Sequence, residues 1–185
     1  MNTPSNGCNF PNPPIPANDQ CANATIIGPG PTGPIAGTTI GASTDPGSSS
    51  GCGAAATTRD VYYRWTQGAT AVATTFQVCT INTTYDAVIS VHKTTSGSMG
   101  CPATSASDSQ ISTLNGCNDD GCPVGLGTNT LFFQGRQARL RLTANQATNL
   151  LPANTQFLIR VSGATKGGPS NNPPDGVFTL EVTQP

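Results

Sequence analysis

The stretch RDVYYRW, residues 59–65, decides the fold class of this chain. Its apolar residues Val61, Tyr63 and Trp65 alternate with positions that include the charged Arg64. Side chains two positions apart point to the same face of a strand, and one apolar face with one polar face is typical of antiparallel sheets. The stretch therefore predicts a strand with its apolar set facing a core.

The same alternation of period two recurs along the rest of the chain, at residues 87–92, 138–142, 157–161 and 178–182. Shorter apolar runs predict further strands at 34–40, 72–79 and 129–134. The chain also contains 21 glycines and 16 prolines, which supply turns between these runs. About eight short strands separated by turns predict an all-β antiparallel sandwich or jelly roll.

Charge is scarce throughout the chain. Charged residues make up 9% of the sequence and the net charge is −1, against about 25% charged residues in an average soluble domain. This balance argues against nucleic acid as a partner, and no apolar run reaches the roughly 18 residues of a membrane span. Little electrostatic repulsion separates copies of such a chain, so self-association is favoured.

The cysteines indicate an oxidising compartment. The spacing of Cys117 and Cys122 does not match a CxxC zinc knuckle, and His92 is the only histidine. Disulfides fit this chain better, which predicts a secreted or cell-surface protein. We expect six of the seven cysteines to be paired, at positions 21, 52, 79, 101, 117 and 122.

Six cysteines can pair in 15 ways, and the sequence does not choose among them. The first expected pair is Cys101 with Cys117, because the two flank one loop. Cys21 with Cys52 is the second, which leaves Cys79 with Cys122. The seventh cysteine, Cys8, lies in a different kind of segment.

Residues 1–18 are predicted to form an extended arm, and residues 19–185 a β-sandwich domain. The run PNPPIP, residues 11–16, favours a polyproline II conformation. A flexible linker is one alternative for such a terminus, and a segment that folds back to cover an edge of its own sandwich is another. An extended segment can instead lie in the groove or along the sheet edge of a neighbouring molecule.

Seven motifs, taken in order, resemble those of bacterial pre-peptidase C-terminal-like domains: NDQCANAT, the pair Cys52-Gly53, RDVYYRW, TYDAVISVH, GCNDDGC, QFLIRVSG and GVFTLEV. The resemblance covers about residues 19–185. It implies an exported, non-catalytic β-sandwich of jelly-roll type, in a family whose members accompany enzymes or surface proteins and in some cases bind calcium or polymers. The Pro-rich arm with its extra cysteine departs from that pattern, as does the absence of an enzyme domain.

Two neighbouring loops carry oxygen ligands that suit a calcium ion. Asp86 precedes one predicted strand, and Asn118, Asp119 and Asp120 lie in a turn. The spacing is not that of an EF-hand. The alternative is that these side chains cap amides of their own turns. No other cofactor is expected.

We expect no catalytic residues. Residues 47–51, GSSSG, match the nucleophile pattern G-x-S-x-G, but that chemistry needs a strand-turn-helix context and a histidine base. No helix is predicted after the motif, and alternation places His92 on the outer face of its strand. The match is therefore interpreted as a loop.

Two sets of side chains are candidate contacts for glycans. Arg139, Arg141 and Arg160 are expected on the polar faces of two neighbouring strands, where they would contact acidic sugars or only solvent. The aromatic residues of VYYRW would stack on sugars or pack in the core, and alternation favours the core.

Asn23 and Asn82 begin N-glycosylation sequons, NAT and NTT. In a chain rich in Thr and Asn, such matches also arise by chance. A glycan at either position would add solubility that the sparse charges do not supply.

Taken together, these features predict a non-catalytic extracellular subunit that assembles with copies of itself into a fibre, surface layer or appendage. The arm would make the contact, with Phe10 and Ile15 as apolar anchors and Cys8 as a covalent lock. The alternative is a carbohydrate- or polymer-binding module of a secreted hydrolase, with glycans as its partners.

Overall fold

The computed structural model describes residues 11–44, 59–93, 116–122, 137–142, 153–164 and 175–185. Within these ranges the chain forms strands and one 3-10 turn, Cys21–Asn23. Gln156–Gly163 and Asp60–Thr66, two of the longest strands, pair antiparallel over seven positions. The chain is therefore nearly all β, as its alternation predicts.

The strands form two sheets. Sheet A has the order β1-β3-β8-β5-β6, formed by Thr25–Ile27 (β1), Asp60–Thr66 (β3), Gln156–Gly163 (β8), Ala87–Lys93 (β5) and Cys117–Asn118 (β6). Sheet B has the order β2-β9-β4-β7, formed by Thr32–Thr38 (β2), Val177–Thr183 (β9), Thr74–Gln77 (β4) and Arg139–Leu142 (β7). All pairings are antiparallel except that of β1 with β3.

One core lies between the two sheets, as in a β-sandwich. Trp65 of sheet A meets Phe76 of sheet B edge to face, with ring centroids 5.1 Å apart. Tyr63 meets Phe178 in the same way at 6.2 Å. These rings belong to the sets that alternation places inward, and they are buried together with their neighbours in one cluster.

Seven of the predicted strands are present, with ends shifted by a few residues. The predicted strand at 34–40 is Thr32–Thr38, and the one at 72–79 is Thr74–Gln77. The strand predicted at 129–134 lies outside the described residues. β1 and β6 were not predicted, because runs of three and two residues are too short to show a period.

The expectation of one polar, solvated face is wrong for part of sheet A. On the side away from the core, Tyr62 is 0% and Arg160 is 2% exposed. Cys21 and Ala24 pack against Tyr62 and Leu158 there. The N-terminal segment therefore covers part of this outer face, which removes it from water.

The expectation that Arg139, Arg141 and Arg160 share one polar surface is also wrong. Arg160 belongs to β8 in sheet A, whereas the other two belong to β7 in sheet B. The Arg160 Nε atom lies 2.7 Å from Asp60 Oδ2, in a buried ion pair. Because its charge is paired with that of Asp60, this arginine can be buried instead of facing solvent.

Candidate functional site

The structure brings together the three aspartates that the sequence singled out. One carboxylate oxygen from each of Asp86, Asp119 and Asp120 lies within 4.8 Å of the others. The cause is the pairing of β6 with β5, because antiparallel strands place the end of one beside the start of the other. Asp86 immediately precedes β5, and the other two residues immediately follow β6.

This spacing fits oxygen ligands around one hard cation. Calcium binds oxygens at about 2.3–2.6 Å, so two ligands of the same ion are at most about 5 Å apart. Three carboxylates this close also repel one another, and a bound cation relieves that repulsion. The residues present therefore fit calcium, and the prediction of a calcium site stays a prediction.

Asn118, the fourth predicted ligand, belongs to β6 and pairs with Ile89 in the ladder to β5. Its side-chain Oδ1 atom is buried and accepts no hydrogen bond from the residues that the structure describes. The turn-capping alternative therefore does not describe this oxygen. A Cβ atom at Gly121 would lie 2.9 Å from the same oxygen and 2.4 Å from the Arg139 carbonyl oxygen, so the turn has no room for a side chain at Gly121.

A disulfide and a glutamine fasten the aspartate loops together. Cys79 is bonded to Cys122, two residues after Asp120. The carbonyl oxygen of Gln137 accepts hydrogen bonds from the amides of Gly121 and Cys122, both at 3.1 Å. Its side-chain amide donates to the carbonyls of Thr80 and Thr83. The aspartates are thus held in place by contacts outside their own turns.

The Cys79–Cys122 bond is one of the three predicted pairs, so that pairing is confirmed. Cys21 and Cys117 are also disulfide-bonded. The cysteines predicted to pair with them, Cys52 and Cys101, lie outside the described residues, and so does Cys8.

The N-terminal segment is held against its own domain from Pro13 onward. A Cβ atom at Gly41, where φ is +80°, would lie 2.8 Å from the carbonyl oxygen of Pro14 and 3.0 Å from that of Pro13. The Asn18 carbonyl accepts a hydrogen bond from the Tyr62 amide at 2.9 Å, and its side-chain amide donates to the Tyr62 carbonyl at 3.0 Å.

Asp19 completes this attachment. Its carboxylate accepts hydrogen bonds from the amide and the hydroxyl of Ser43, at 2.5 and 2.8 Å. Ile15, between the two attachment points, remains 68% exposed. Of the three predicted assembly residues, Ile15 is therefore displayed to solvent, while Cys8 and Phe10 lie outside the described residues.

Both sequon asparagines are exposed. Asn23 ends the 3-10 turn, and Asn82 lies in the turn closed by the hydrogen bond from the Thr83 amide to the Thr80 carbonyl. Both are accessible to a transferase, and glycosylation stays a prediction.

His92 lies on the outer face of β5, where it is 7% exposed. Its Nε2 atom is 2.8 Å from the hydroxyl oxygen of Ser90. The serine-rich segment 47–51 lies outside the described residues. The contact between His92 and Ser90 joins two side chains of one strand that are nearly excluded from water.

Sequence reasoning missed the polar cluster on the outer face of sheet A. Asp60 Oδ2 accepts hydrogen bonds from Arg160 Nε at 2.7 Å and from the Tyr62 hydroxyl at 3.2 Å. One signal was present, because aspartate is depleted in strands and Asp60 begins one. The partner could not be read locally, since it lies 100 residues away.

Comparison with known proteins gives no relative: no family model, curated protein or solved structure matches this chain. A search of the described residues finds no helix of the length and apolarity needed to cross a membrane.

Proposed function

We propose that this chain is a non-catalytic, extracellular structural subunit that assembles with copies of itself through its N-terminal arm. The observation that carries the proposal is the exposure of Ile15, at 68%, on a segment with both sides attached to the domain. In finer detail, we propose a jelly-roll sandwich related to pre-peptidase C-terminal-like domains, exported to the cell surface or beyond.

The attachment of the segment supports a role in binding. Prolines fix φ, and the contacts at Gly41 and Tyr62 hold the backbone on either side of Ile15. A segment held in this way loses little backbone freedom when it binds in a partner's groove. The segment therefore suits a contact between molecules better than a freely moving tail does.

The electrostatics support association between like molecules. The net charge of the chain is −1, and residues 1–18 contain no charged side chain. Two copies that meet through this segment would meet little repulsion.

The alternative, a carbohydrate-binding module, finds less support in the described residues. Sugar stacking uses exposed aromatic rings, whereas each tyrosine, tryptophan and phenylalanine of the described segments is at most 3% exposed. Arg160, a candidate for acidic glycans, is occupied by Asp60.

Deletion of residues 1–10 tests the proposal, because it leaves the contacts of Pro13, Pro14, Asn18 and Asp19 in place. We expect the full chain to form species above the monomer mass in light scattering and electron microscopy. We expect the truncated chain to be a monomer with an unchanged melting temperature. A full chain that is monomeric at every concentration would rule out the proposed function.

A pair of substitutions separates the arm from general surface apolarity. Ile15→Ser should weaken assembly, since it removes the displayed apolar side chain. Ile81→Ser is the matched control, because Ile81 is 59% exposed but lies in the turn after β4. Equal effects of the two substitutions would contradict a role for the arm.

A further inference from the structure

We infer that residues Ile35–Thr38 of β2 form an open sheet edge that accepts residues Asn6–Phe10 of a second copy as an added strand. This inference rests on the proposed function and names the surface that receives the arm. The argument starts from the four edge strands of the sandwich.

Three of the four edge strands are short. β1 has three residues, β6 has two and β7 has four. β2 has seven residues and pairs only with β9. No other described residue forms a backbone hydrogen bond with β2. Within the described part of the chain, the amide and carbonyl groups on its outer side thus have no backbone partner, and such groups are the template for strand addition.

Proteins protect such edges with proline, charged side chains or irregular pairing. The first half of β2 has two of these features, because Pro34 has no amide hydrogen and the register with β9 shifts between Thr32 and Ile35. The second half has none of them. Ile35–Thr38 is uncharged, free of proline and in continuous register, from Ile35 opposite Leu180 to Thr38 opposite Val177.

Residues 6–10, NGCNF, suit this edge as a donor strand. They contain no proline and no charged side chain, so every residue has an amide hydrogen and the alternate amides that face the edge can donate. At about 3.3 Å per residue, five extended residues span the four residues of the open edge. The arm is attached at Gly41, three residues after the end of β2, so it leaves each domain close to that domain's own open edge.

Exposed apolar side chains around this end of β2 favour a second copy as the source of the strand. Ile40 is 37% exposed beside Gly41, and Val177, opposite Thr38, is 42% exposed. Ile15, next to the Pro14 carbonyl that faces Gly41, is 68% exposed. All three remain exposed in the single chain. A neighbouring molecule that added a strand here would bring apolar surface to cover them.

Photo-cross-linking tests the assignment. A photoreactive amino acid replaces Ala36, which is exposed on the outer face of β2. Isotopically light and heavy copies of the full chain are mixed before irradiation, and cross-linked peptides are identified by mass spectrometry. We expect links from position 36 of one isotope to residues 1–10 of the other. Links confined to one isotope would show that the chain closes its own edge, and would overturn the inference.

A charge at the edge supplies the second measurement. Ala36→Lys should abolish the higher-mass species, since a lysine on an edge strand opposes pairing. Thr183→Lys is the matched control, because Thr183 is exposed on the same sheet but ends the interior strand β9. If Ala36→Lys assembles normally while deletion of residues 1–10 abolishes assembly, the proposed role of the arm stands and its assignment to the edge of β2 is wrong. If the unmodified chain never assembles, the proposed function and this inference both fail.

Discussion

The outer faces of the two sheets differ in the exposure of their side chains to solvent. Much of the described outer face of sheet A is buried, with Tyr62 at 0% and Arg160 at 2% exposure, whereas Ile26 on its edge strand β1 is 72% exposed. On the outer face of sheet B, Ala36, Arg141 and Thr183 are exposed, whereas Thr75 and Thr179 of the two interior strands are buried. Alternation along a strand therefore tells which side chains share a face. It does not tell whether the rest of the chain covers that face.

The strands of the two sheets also differ in how many apolar residues they have at outer positions. The outer positions of sheet A include the apolar residues Val88 and Leu158, which are 2% and 3% exposed. Strands buried on both sides become apolar throughout, as parts of β5 and β8 do. The exposed outer positions of sheet B carry no comparable apolar run, although Val177 is 42% exposed.

Removing Asp60 should produce the largest loss of stability. Asp60→Ala leaves the buried guanidinium of Arg160 without the carboxylate that contacts it at 2.7 Å. Breaking a buried pair in this way lowers the free energy of unfolding by about 3–5 kcal/mol. Glu181→Ala is the control on sheet B, because its carboxylate accepts a hydrogen bond from Gln77 at a half-buried position. Urea unfolding should show a loss below about 1 kcal/mol for the control. Equal losses would mean that the polar contacts on the two outer faces contribute equally to the free energy of unfolding.

Breaking the disulfide between the sheets should have the next largest effect. Cys79 and Cys122 are 43 residues apart in sequence, and closing a loop of that length contributes about 4 kcal/mol in the chain-entropy model. The double substitution Cys79→Ser with Cys122→Ser should lower the free energy of unfolding by up to this amount. An unchanged denaturation midpoint would contradict a stabilising role for this disulfide.

Alkaline pH should test the core between the sheets. Burial raises the pKa of Tyr63 to about 12, against 10.0 for an exposed tyrosine, while a hydrogen bond from Asn18 opposes the shift. The unfolded chain thus loses its proton first. The stabilisation is complete below pH 10 and decreases by about 2–3 kcal/mol as the pH rises towards 12. Burial also raises the pKa of Tyr85.

Denaturant unfolding at pH 9, 10.5 and 11.5 measures this loss. Tyr63→Phe has no proton to release, so its stability should fall less steeply with pH than that of the natural chain. Equal slopes for the two proteins would contradict a buried, neutral Tyr63.

Calcium binding should have the smallest effect on stability. Its site would be the end of sheet A, where Asp86, Asp119 and Asp120 meet. An ion present at ten times its Kd stabilises the folded state by about 1.4 kcal/mol. A chelator should therefore lower the melting temperature, and Asp119→Ala should abolish that sensitivity. Glu181→Ala should retain it. A melting curve that does not respond to the chelator or to added calcium would exclude the ion.

Local patterns predicted the strands well because each strand is an independent test of period two. They predicted the aspartate cluster for a related reason, since Asp86 precedes a strand and Asp119 and Asp120 follow a turn of the next paired segment. They failed where two distant segments meet. The contact of Asp60 with Arg160 and the cover of Tyr62 by Cys21 depend on which strands pair, and no local pattern contains that information.

The position of the arm relative to the open edge has a consequence for symmetry. The arm is attached at Gly41, just past the end of β2, so its attachment point lies close to the proposed acceptor edge. Two molecules that exchange arms reciprocally would be related by a two-fold axis, with each acceptor filled. Such a pair is closed and stops growing. An open-ended polymer would instead require each arm to pass to a third molecule, or the closed pair to build further through a different surface.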